Sequence, residues 1–133
     1  MSLDRGRLEQ INQALHVISN TRVSVVHIIN TYQYRTVEEI INIFQYCIDI
    51  LSSIIEILGW QEGTLPNTYE IPAKILTLRL KEKLSVIKGR YLSANNQNRL
   101  QMLVPIKNDI NAIQRVLRLG FQRMIFEWRR AQN

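Results

Sequence analysis

Residues 36 to 59 read TVEEIINIFQYCIDILSSIIEILG, and this stretch decides the fold. Thr36 with Glu39 three residues on is a capping box, in which hydroxyl and carboxylate each satisfy an orphan backbone N–H. Gly59 supplies the stop, because a helix end favours a residue free to turn left-handed. The spacing predicts a helix over Val37–Leu58. At about 100° per residue its polar side chains, from Asn42 and Gln45 through Asp49 to Glu56, fall on one narrow stripe. The rest is apolar, from Ile40 and Phe44 through Cys47 and Leu51 to Leu58. A helix apolar over most of its circumference is expected to be buried on several sides. It reads as the central helix of a bundle, or as one covered by another chain.

The flanking sequence is helical as well. Leu8, Ile11, Leu15 and Ile18 recur at three- and four-residue spacing, and Val25, Ile29 and Tyr32 continue the stripe over about residues 3–33. Ser19-Asn20-Thr21 is a candidate interruption. After the loop Gly59–Ile71, Pro72 stands at the first position of a helix that runs to about Leu92. Ala73, Leu76, Leu80, Leu84, Ile87 and Tyr91 form its core stripe. Ser93–Asn98 reads as a turn or cap. A short helix over Asn96–Leu103 is followed by Pro105, which begins or kinks a last helix reaching about Arg130. Ile106, Ile110, Ile113, Leu117, Phe121, Met124 and Trp128 face inward on it. The expected fold class is all-α: a four- or five-helix bundle, or a long helical hairpin if Pro105 only kinks. The 133 residues fit a single helical domain.

Composition agrees. Five Gly and three Pro leave little room for the turns of a β-sandwich. No uninterrupted apolar run reaches the roughly 18 residues of a membrane span, so no integral membrane association is expected. The start has no secretory h-region. Cys47, the one cysteine, excludes an internal disulfide framework. A reducing, cytoplasmic compartment is expected, with the nucleus also open.

Few residues offer chemistry. His16 and His27 lie eleven residues apart on the first helix and read as surface histidines. Cys47 falls on an apolar face and behaves as a small hydrophobe. His16, His27 and Glu9 lack the i, i+4 spacing of paired metal ligands. Gly59, Gly63, Gly89 and Gly120 are scattered, with no phosphate-cradling motif. The expectation is therefore a non-enzyme with no cofactor, no metal and no small-molecule substrate. Arg22–His27, RVSVVH, has an Arg-x4-His spacing that resembles the short signature of the HEPN group of small helical proteins, some of them ribonucleases. The resemblance covers six residues. It departs from that pattern in having no polar residue after Arg22 and in lying early in the chain. It implies Arg22 on a phosphate and His27 in proton transfer.

The net charge of +6 is uneven: residues 1–66 sum to −3 and residues 67–133 to +9. Such an imbalance bears on partners rather than on fold. The bland reading is that the two halves pack against each other and the excess charge is solvated. On the helix after Pro72, Lys74, Lys81 and Lys88 flank the core stripe on one side, and Arg79, Lys83 and Arg90 on the other. These six are the candidate phosphate contacts, in a sequence-tolerant, salt-sensitive mode; equally, they are solvated flanks whose stems cover the core. The last helix carries a second apolar patch, Leu119 and Phe126, with Arg115, Arg118, Arg123, Arg129 and Arg130 around it. Aromatic and arginine side chains dominate interface energetics. The expected function is a helical protein–protein interaction or assembly module, self-associating or part of a larger complex. The alternative is a basic RNA- or DNA-binding helical protein.

Overall fold

A computed structural model describes residues 5–61 and 66–132. Among the described residues four helices form: α1 (Arg5–Asn30), α2 (Val37–Leu58), α3 (Ile71–Tyr91) and α4 (Asn96–Gln132), with a 3-10 turn at Tyr32–Tyr34. Each helix packs on the two beside it, α1 on α2 and α4, and α3 on α2 and α4. Cross-links set an alternating up-down order. Lys88, late in α3, donates to Gln45, early in α2, at 2.5 Å. Gln114 in α4 donates to Ser19 of α1 at 2.8 Å, and Lys107 reaches back to Asn30. The molecule is therefore a four-helix bundle, and the hairpin alternative falls.

The ends of α2 lie where the sequence placed them. Thr36 Oγ1 accepts from Glu39 N at 3.1 Å. The reciprocal half of the capping box gives way to an ion pair of Glu39 with Arg35 at 3.5 Å. Gly59 sits at φ 63°, and Trp60 N returns to Ile55 O at 2.9 Å. By length and composition α2 could cross a membrane, which the search for uninterrupted runs did not register. In the bundle its deepest stripe, including Phe44, Cys47, Leu51 and Ile54, joins the core. Ile41 and Ile48 on one flank, and Ile43, Ile50 and Ile57 on the other, are half-buried. α2 is thus one of four equivalent helices, not a central one, and its broad apolar arc closes two seams.

Two expected breaks are absent. α1 runs through Ser19–Thr21, where the buried Thr21 hydroxyl donates to the Val17 carbonyl at 2.7 Å. α4 runs through Pro105 without stopping; the missing proline N–H costs one bond, and burial of Leu103, Ile106 and Ile110 on either side of it holds the helix. The separate helix over 96–103 is therefore the first part of α4. Gly63 and the side chain of Trp128 lie outside the described residues.

The loop into α3 is pinned by Glu70, which the sequence reading did not single out. Its carboxylate is 2% exposed, yet it accepts from Arg7, from Asn67 and from Trp60 Nε1, the last at 3.0 Å. Trp60 is a core cap, and its polar edge is satisfied there. Tyr69 instead turns outward, its hydroxyl donating to Glu127 of α4. This loop lies close on α4: a Cβ at Gly120 would stand 2.6 Å from the Tyr69 carbonyl oxygen. Gly120 marks a close approach and not a break.

Candidate interaction face

α3 carries apolar residues on both sides, and here the sequence reading was incomplete. Ala73, Thr77, Leu80, Leu84 and Tyr91 are buried. Ile71, Ile75, Leu78 and Val86 are exposed. Their spacing of four, three and eight residues places them on one ridge, opposite the core stripe. Glu82 is the acid within that ridge. The predicted cations flank it. Lys83 is held by Asp109 of α4 at 2.8 Å and Lys88 by Gln45 of α2, so these two candidate phosphate contacts serve helix packing. Lys74 is half-buried and has an interaction of its own. The side chains of Arg79, Lys81 and Arg90 make no ion pair or hydrogen bond among the described residues.

The predicted patch on α4 is divided by the structure. Leu119 is 52% exposed and Phe126 66%, one above the other. Arg123 lines a cavity of about 360 Å³ with Tyr69, Pro72, Val116, Leu119 and Gly120. Arg115, one turn before Leu119, is exposed, as is Arg130, one turn after Phe126. Arg118 and Arg129 turn the other way. Arg118 lines a hollow with His16 and Ser19 of α1, and Arg129 one with Arg5, Leu8 and Glu9. The ring of five arginines thus separates. Arg123 lies on the seam with α3, Arg118 and Arg129 on the seam with α1, and Arg115 and Arg130 are exposed along α4.

The seam between α3 and α4 therefore has a defined chemistry. A concave apolar cavity sits beside Leu119, above the close contact at Gly120. Apolar side chains rise on both sides of it. Arg123 lines it, and Arg79 on α3 and Arg115 on α4 are exposed; none of the three has an acidic partner among the described residues. The two halves of the chain pack against each other, α1 on α4 and α2 on α3. The ion pair Arg7–Glu70 also joins them, its cation coming from the acidic half.

The residues of the HEPN-like spacing do not converge. Arg22 is half-buried and its Nε donates to Asn111 Oδ1 of α4 at 2.5 Å. His27 is exposed, and five residues set it about 140° around the helix. His16 is exposed too. Among the described residues no three His, Cys, Asp or Glu side chains gather as metal ligands. Burial pushes the Cys47 thiol up to about 12, so it is a poor nucleophile. No protein-family model matches the chain, and neither a curated protein nor a solved structure is similar to it.

Proposed function

We propose that this chain is a non-enzymatic helical interaction module, self-associating or a subunit of a larger complex, that docks its partner on the α3–α4 face. The observation that carries this reading is the pairing of exposed apolar residues on α3 and α4 with arginines that make no ion pair among the described residues, Arg123 among them lining the concave seam. Leu119, Phe126, Ile75 and Leu78 supply area whose burial would drive association. Arg79, Arg115 and Arg123 favour a partner surface with an acidic rim, and the charge rejects a cationic one. Two copies meeting through this same face would set like charges together, so self-association here requires a head-to-tail contact with the acidic α1–α2 side. Leu119→Asp with Phe126→Asp should weaken assembly without unfolding the monomer. Light scattering beside circular dichroism reads both, and an unchanged assembly mass argues against this face.

The second reading, a sequence-tolerant RNA or DNA binder, draws on the free cations Arg79, Lys81 and Arg90 along α3. Phosphate contacts would make such binding steeply salt-dependent. It gives no role to the apolar ridge, and α3 presents no aromatic platform for stacking bases. Anisotropy of labelled single-stranded RNA and duplex DNA, titrated over salt, tests it.

A further inference from the structure

A separate site lies at one end of the bundle, where the Tyr32–Arg35 link and the turn after α3 meet. A cavity of about 350 Å³ opens there, and Tyr32, Arg35, Tyr91, Asn96 and Arg99 are among its lining residues. Arg99 is fixed in place. Its Nε donates to the Tyr91 carbonyl at 3.1 Å and its Nη2 to the Leu92 carbonyl at 2.9 Å, with the guanidinium 5.2 Å from the centre of the Tyr91 ring. No acid pairs with it among the described residues. Arg35 shares its charge with Glu39, so the cavity keeps net positive charge. Asn96 is the first residue of α4, and the Asn95 side chain caps that helix by accepting from Asn98 N at 2.9 Å. The positive end of a 37-residue helix thus faces the cavity.

A second, independent feature points to a ligand. Tyr91 is 2% exposed and lines the cavity, and its hydroxyl, which still reaches solvent, makes no hydrogen bond among the described residues. A phenol O–H that no protein group engages is free to donate to a ligand in the cavity. Burial pushes the phenol up, more than the neighbouring Arg99 lowers it, so at neutral pH it is a donor. Two guanidinium groups, a phenol O–H and a helix N-terminus converge with few acceptors among them. That donor set matches a compact oxyanion.

We propose that this end cavity binds a small molecule bearing a compact oxyanion, a phosphate or a carboxylate group, held by Arg35, Arg99 and the Tyr91 hydroxyl. The site is independent of the α3–α4 face, and either stands without the other. The test is an amide-resolved NMR titration with inorganic phosphate and, in parallel, citrate, at constant ionic strength. Expected are saturable shifts confined to residues 31–37 and 91–99, and the tighter of the two anions identifies the group. Tyr91→Phe keeps the ring and the fold and should weaken binding about tenfold, the value of one hydrogen bond to a charged group. Arg35→Gln should weaken it as well, with the melting temperature as the check on folding. Saturation by neither anion, shifts spread over α3 and α4, or undiminished binding by Tyr91→Phe would each overturn the proposal.

Discussion

The guanidinium of Arg7, in the first turn of α1, closes on the buried carboxylate of Glu70, the N-cap of α3. The contact ties together two helices that otherwise pack through their neighbours. Removing one partner of a buried pair leaves the other charge uncompensated. Arg7→Ala should therefore cost about 3 kcal/mol, read as a lower urea midpoint. Arg5→Ala is the control, since Arg5 pairs with Glu9 on an exposed surface and exposed pairs contribute little. Equal effects of the two variants would contradict the account.

Gly120 and Gly89 are both helical glycines, and they should respond oppositely to alanine. A Cβ at Gly120 meets a backbone carbonyl, which cannot swing aside, whereas one at Gly89 meets nothing within 4 Å. Gly120→Ala is expected to destabilise by about 1–3 kcal/mol through overpacking. Gly89→Ala should stabilise by about 0.5–1 kcal/mol through helix propensity. Chemical denaturation of the pair decides it, and a stabilised Gly120→Ala would mean that the loop does not lie on α4.

Thr77 is fully buried in α3, and its hydroxyl has no partner among the described residues. Thr77→Val removes that group while nearly keeping the shape. It should raise stability by about 1 kcal/mol. A loss of stability would show that the hydroxyl is satisfied in solution.

Cys47 titrates at 9.0 when unperturbed and at about 12 in the fold. The unfolded chain therefore loses this proton first as pH rises. The Cys47 contribution is whole below pH 9 and declines between pH 9 and 12, by about 1.4 kcal/mol per pH unit at most. Thiol-reactive dye should label the native protein far more slowly than the unfolded one. Cys47→Val should flatten the alkaline decline, and an unchanged slope would assign it to other groups.

The sequence disclosed elements better than their surroundings. Thr36, Glu39 and Gly59 are local signals, and they fixed both ends of α2. Pro105 left open whether it begins a helix or only kinks one, and burial on both sides of it, a tertiary effect, decided that α4 continues. Glu70 was invisible because nothing in NTYE shows that Trp60 and Arg7 converge there. On α3, a convincing inward stripe hid the second one: Ile71, Ile75, Leu78 and Val86 fit the helical period equally well. On α4, Leu119, Phe126 and their arginines were found by projection. Which arginines face α3 and which face α1 depends on how the bundle closes.

The central claim is that the α3–α4 face docks a partner through apolar area, with charge selecting the partner. Light scattering of the wild type and of Leu119→Asp with Phe126→Asp, at low and at high salt, tests it most directly. The account predicts a wild-type assembly that persists in high salt and shrinks in the variant, with unchanged helicity. A strict monomer at every salt, alongside salt-sensitive RNA binding that the two substitutions leave intact, would contradict it.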